Sequence, residues 1–201
     1  MAKSSLLKTW RTLAIAVLLL AMARGEADEL TVVYRKPDVS LAEYRQFLLR
    51  PLNLDDARLI PPPWVENANA HEWKLTDDSR AFLRTAYADA VRAGIESEGR
   101  YTVVDQPTAG ALQLEVYVVS LTPWASRAER DVETLGTGAL TFEAHVRDSR
   151  TAELLGVVKG TQHVGKEYQE NTIFNKQSDI EEHFTAWGRD ISRWLANAQK
   201  P

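Results

Sequence analysis

The chain has 201 residues, no cysteine and a formal net charge of −4. Without cysteine there can be no disulfide, thiolate metal site or thiol nucleophile, so stability must come from packing. The acidic balance gives no electrostatic reason to bind nucleic acid or anionic lipid, both of which attract clustered Lys and Arg.

The first segment reads as a secretory signal. A basic start (Lys3, Lys8, Arg11) leads into the apolar run Leu13–Met22, too short for a membrane span, which needs about 20 apolar residues. Small residues in Ala21-Met22-Ala23 place the cut after Ala23, with Ala27 as the alternative. Losing those three positive charges takes the formal charge from −4 to −7. A lipoprotein would carry a cysteine at this junction for acylation. With none present, the mature chain is expected in the periplasm, with no membrane span or lipid anchor after signal cleavage.

Residues 24–43 read as an arm leading into one domain over residues 44–201, with Pro37 ending the short β-branched stretch Leu30–Val33. Tyr44, Phe47, Leu48 and Leu49, bounded by Pro51, predict a first strand. Leu52–Leu75 holds Pro61, Pro62, Pro63, Trp64 and Trp73 and reads as a long excursion with polyproline character. Thr76-Asp77-Asp78 is a helix start, since the threonine can accept from a free backbone NH and the acids favour the positive dipole end. Phe82, Leu83, Ala86, Tyr87, Ala90, Val91, Gly94 and Ile95 give that helix one apolar face, and Gly99 stops it.

Tyr101, Val103 and Val104 predict a short strand, and Leu112, Leu114, Val116 and Val118 alternate with polar neighbours in a half-buried one. Thr122–Gly138 reads as a loop. Leu140–Val146 alternates again, Asp148-Ser149-Arg150-Thr151 offers a turn, and Leu154–Thr161 completes a hairpin. After a polar excursion from His163 to Gln177, Ser178-Asp-Ile-Glu181 matches the capping box that opens a helix. That helix carries Ile180, Phe184, Trp187, Ile191, Trp194 and Leu195 on one stripe. The order β-α-β-β-β-β-α predicts an α+β fold: a single, largely antiparallel sheet of about five strands with two helices packed on one face.

Three blocks of the chain resemble a known family: Tyr34–Tyr44, then Tyr101–Asp105 with Pro107 and Leu112-Gln-Leu114, then Phe142–Ser149 with Thr151 and Glu153-Leu154. The resemblance is to domain of unknown function 3313, a family of envelope lipoproteins of Gram-negative bacteria. It implies an address in the cell envelope and no particular activity. Two departures stand out: the acylated cysteine is missing, and Ala152 stands where a turn glycine commonly follows Thr151.

No catalytic constellation emerges. The four histidines (His71, His145, His163, His183) lack zinc-ligand spacing, and Leu75 stands where a second histidine would complete a His-Glu-x-x-His helix after His71-Glu72. Only His145 and His163, near Glu143, could meet on neighbouring strands. Ser120, Ser126 and Ser149 fall in no Gly-x-Ser-x-Gly elbow. The pairs Asp77-Asp78 and Glu181-Glu182 sit in first helical turns, where the dipole explains them. Gly136-Thr-Gly138 precedes a strand and lacks the helix that would hold a phosphate. No catalytic, cofactor-binding or metal-binding residue is assigned, and no cofactor is implied.

Trp64, Trp73 and Trp124 differ, because large aromatics in predicted loops can anchor a partner. The expectation is a non-catalytic binding or assembly module whose partner is another envelope protein or envelope component. An envelope hydrolase and a small-ligand carrier are the alternatives.

Overall fold

The computed structural model describes residues 29–66 and 73–199. The expected signal peptide and His71 lie outside them. Nine strands and two helices follow in order: β1 (Glu29–Arg35), β2 (Gln46–Leu49), β3 (Arg58–Leu59), α1 (Asp77–Glu96), β4 (Thr102–Val104), β5 (Ala111–Pro123), β6 (Glu133–Leu135), β7 (Gly138–Asp148), β8 (Leu154–Val164), β9 (Tyr168–Glu170) and α2 (Ile173–Ala198).

The expected five-stranded, largely antiparallel sheet is overturned. Seven strands form a mixed sheet in the order β1-β8-β7-β5-β2-β4, with β3 also on β5, and β6 and β9 make a second, two-stranded sheet. Strands β1, β8, β7 and β5 pair antiparallel, whereas β2 is parallel to both β4 and β5, and β3 is parallel to β5. The helix α1 joins the parallel strands β2 and β4, as a crossover connection must.

Two features explain the strand count, and a third shifts a helix boundary. The residues read as a lead-in arm form β1, an edge strand on β8 with an irregularity at Val33. The proline-rich excursion is not free of the sheet: Asn53 bridges Tyr117, and Arg58-Leu59 pairs with Ser120-Leu121, so residues 46–60 track β5 along its length. Finally, α2 begins at Ile173 rather than near Ser178. Thr172 takes the N-cap and accepts from Asn175 N at 3.1 Å, which leaves the Ser-x-x-Glu box inside the helix.

Both helices lie on one sheet face. From α1 come Leu83, Tyr87, Val91 and Ile95, and from α2 Phe184, Trp187, Ile191, Trp194 and Leu195. They cover the inward residues Phe47, Leu112, Leu114, Val116, Phe142, Ala144 and Val146. Trp187 packs on Phe142 with ring centroids 4.7 Å apart, and its indole NH donates to buried Gln162 on β8 at 2.6 Å. Thr76 caps α1 as expected, accepting from Ser79 N.

The helices meet backbone to backbone. A Cβ on Gly94 would strike the Thr185 carbonyl and lie 2.9 Å from Gly188 Cα, and one on Gly188 would strike the Val91 carbonyl and lie 2.8 Å from Gly94 Cα. Gly188→Ala should therefore destabilise the fold by about 2–4 kcal/mol, because overpacking against backbone outweighs the ~1 kcal/mol that alanine contributes to helix propensity. Urea denaturation checks this, and a neutral result would show that the helices can part.

In the β7–β8 turn, Asp148 Oδ1 accepts from the backbone NH groups of Arg150 and Thr151 and from Thr151 Oγ1. Ala152 then adopts φ +59°, the left-handed conformation glycine favours. Ala152→Gly should raise the unfolding free energy by about 0.5–1 kcal/mol by relieving this strain, read as a higher urea midpoint.

Candidate functional site

The three tryptophans singled out from the sequence part company. Trp73 is 8% exposed, so it belongs to the interior and not to a binding surface. Trp64 is 63% exposed and lies against half-buried Trp124, with ring centroids 5.6 Å apart and planes at 38°. Trp124 also meets His163 edge-on at 5.5 Å.

Local structure explains the juxtaposition. Ile60 N donates to Leu121 O as the chain leaves β3, Pro61–Pro63 carry it past the end of β5, and a turn closed by Val65 N to Pro62 O holds Trp64. Trp124 directly follows β5, and its backbone NH donates to Thr137 O, which ties it to the start of β7. His163 reaches the cluster from β8, where it pairs with Ala139.

The face of the sheet away from the helices carries a polar ladder. Gln113 Nε2 donates to Glu115 Oε1 (2.7 Å), Arg147 Nε pairs with Glu115 Oε2 (3.1 Å), and Lys159 Nζ pairs with Glu143 Oε2 (2.7 Å). His145 sits between the carboxylates, with Nε2 2.6 Å from Glu143 Oε1 and Nδ1 3.9 Å from Glu115 Oε2. The hydrogen bond from Lys159, helped by His145 and opposed by desolvation, holds the Glu143 carboxyl below its ordinary range. Each carboxylate already has a cationic partner, which makes the ladder a neutralised surface.

The expected meeting of His145 and His163 does not occur. Opposite Val157 and Ala139 respectively, they lie six ladder positions apart, about 20 Å along the strands. Among the described residues no group of three or more His, Asp or Glu is arranged to hold a metal ion. Ser120, Ser126 and Ser149 are buried; Ser149 Oγ donates to Thr108 O, and Ser126 N donates to Glu129 Oε2.

Two internal cavities of about 30 and 20 Å³ have apolar walls, the first between the sheet and both helices at Phe47, Tyr87, Phe142 and Trp187. The second is bounded by His183, whose Nε2 is sealed from solvent with no hydrogen-bond partner. Burial, with a smaller contribution from Lys166, pushes the His183 imidazole down to about 4.

One surface escaped the sequence reading. Val132, Leu135, Tyr168, Ile173 and Phe174 are all exposed, Phe174 by 77%, Tyr168 by 75% and Ile173 by 70%. They lie just before and on β6, on β9 and in the first turn of α2, in the stretches read as polar loops. The available signal was the adjacent pair Ile173-Phe174: Ile173, seven residues before Ile180, falls in line with the helical stripe behind it, whereas Phe174 stands about 100° off it.

A family model described as a protein of unknown function (DUF3313) matches residues 18–191. No curated protein sequence matches the chain. Among solved structures, protein XCC0632 from Xanthomonas campestris, described under DUF330, is 13% identical with a TM-score of 0.47, covering 83% of this chain and 91% of that one. A PelC dodecamer from Paraburkholderia phytofirmans is 12% identical with a TM-score of 0.39, covering 87% of this chain and 99% of that one. Likeness this distant says nothing of activity or assembly.

His183 sets a pH dependence. Its folded-state value of about 4 lies below the ordinary 6.5, so between those limits the unfolded chain binds a proton that the folded chain does not, and stability rises with pH. Acidifying from pH 7 to 4 should cost on the order of 2–3 kcal/mol through this residue. His183→Leu should flatten that part of the curve in urea denaturation at stepped pH; an unchanged slope would show that the ring is hydrated.

Proposed function

The chain belongs to the DUF3313 family of proteins of unknown function, and on that footing we propose that it is a non-catalytic binding module of the bacterial cell envelope, acting in the periplasm on another envelope protein. The carrying observation is the Trp64–Trp124 pair, a large exposed indole held on a rigid sheet end by the proline run before it. Covering an indole of this exposure is worth about 3 kcal/mol before the costs of association. Trp64 thus has the character of the central aromatic anchor on which protein interfaces depend.

Other features support the same reading. The carboxylates of the open face are neutralised by Arg147 and Lys159, which suits a surface more than a proton-transfer site. The apolar cavity between the sheet and both helices, at about 30 Å³, is far smaller than the several hundred Å³ a carried ligand needs. Among the described residues no helix is long and apolar enough to cross a membrane. The periplasmic address rests on the basic and apolar signature from Lys3 to Ala23.

A photoreactive residue placed at position 64 in living cells tests the proposal. The expected outcome is reproducible capture of one envelope protein, with Trp64→Ala lowering affinity for the isolated partner by at least tenfold. Failure of positions 64 and 124 to capture any protein, in a chain that remains folded, would sink it.

A further inference from the structure

We infer that the apolar end built by β6, β9 and the first turn of α2 is a self-association surface that takes a second copy of this chain. The patch is distinct from the Trp64–Trp124 pair and rests on different observations. Leu135 and Tyr168 are direct cross-strand partners, so both side chains stand on one face of the small sheet. The alternate residue Gln169 turns the other way and donates to Asp179 Oδ2 of α2 at 2.5 Å. Ile173 and Phe174 extend the apolar ground from β9 onto the helix, and Val132 joins through its carbonyl, which accepts from Asn171 N at 2.9 Å.

The surface is formed in advance of any partner. Asp179 also accepts from Thr137 Oγ1 at 2.6 Å, and buried Asn171 donates through Nδ2 to Ser126 O at 2.8 Å. These bonds fix the small sheet to the body of the protein, which lowers the ordering cost of association.

Area and charge together select the occupant. Three of the five residues are at least 70% exposed and the other two more than 40%, so the patch presents roughly 500–600 Å² of apolar side chain, at the upper end of what a monomer leaves bare. With a polar rim it reaches about the 800 Å² per partner that a stable interface buries. In the chain segments that carry it, Arg130, Lys166 and Lys176 alternate with Asp131, Glu133, Glu167 and Glu170. A mixed rim of this kind is self-complementary under a two-fold axis, where each basic group of one copy can face an acidic group of the other. It offers no excess of positive charge to an anionic lipid surface. Copies of this acidic chain, −4 over its full length and −7 once the expected signal is cut, repel one another over most of their surface, and this apolar end of mixed charge is where that repulsion is weakest.

Sedimentation analysis of the full chain over a concentration series is the test. The expected result is a monomer–dimer equilibrium that Phe174→Asp weakens at least about 30-fold, the loss typical of a central interface residue. Because Phe174 is so exposed, its thermal melting should not change; Tyr168→Asp gives a second, independent disruption. Trp64→Ala should leave the equilibrium untouched, which separates this surface from the one proposed above. A photoreactive residue at position 168 should join two copies of the chain. A monomer at every concentration, a dimer indifferent to both variants, or adducts only with lipid or a different protein would overturn the inference.

Discussion

The close contact of Gly94 with Gly188 governs the architecture. Two helices must share one face of a mixed sheet, and side chains at their crossing would hold them apart at the usual 8–10 Å. With glycine on both sides the backbones touch, and Tyr87 and Phe184 on one side of the contact meet edge to face at 5.5 Å. The approach lets α2 lower Trp187 onto Phe142 and its indole NH onto Gln162. Bulk at either glycine would lift that tryptophan from the sheet and leave a buried amide without its donor, a penalty of about 1–3 kcal/mol beyond the clash itself.

Much of the helical layer was legible in the sequence, because Thr76, the three-and-four spacing from Leu83 to Ile95 and the Phe184–Leu195 stripe are local signals. Strands β5 and β7 were legible for the same reason, since each alternates long enough to establish a period. What escaped was set by tertiary contact. Strands β3, β6 and β9 have two or three residues each, too few to carry a period, and the parallel tracking of residues 46–60 along β5 leaves no mark in either segment alone. At the start of α2 two local signals competed. Thr172 outranked Ser178 because residues 173–177 could join the helix, with Ile173 and Phe174 left in solvent instead of in the core.

The tryptophans show how far composition can locate a site. All three lie in segments with few regular elements, and only burial separates them: Trp73 packs inward, while Trp64 and Trp124 stack at the end of the sheet. The proline run before Trp64 was visible as a spacer, but its direction depends on Ile60 bonding to Leu121, which no property of residues 60–64 reveals.

The outer face clarifies why the exposed apolar groups gather where they do. Across β5, β7 and β8 that face carries Gln113, Glu115, Glu143, His145, Arg147 and Lys159, whose charges pair with one another and disfavour apolar contact. The opposite face is covered by helices. Large contact surfaces can then arise only at edges and ends, and the end reached by β5 and entered by β7 bears both the indole pair and the Tyr168–Phe174 patch. The segments presenting them are held chiefly by hydrogen bonds: Trp124 N to Thr137 O, Gln169 and Thr137 to Asp179, Asn171 to Ser126 and Val132. Burial pushes the Asp179 carboxyl upward despite the two hydrogen bonds it accepts. A body fixed by the Gly94–Gly188 crossing, with its contact groups held at one end by directed hydrogen bonds, suits recognition, because the surface is formed before a partner arrives.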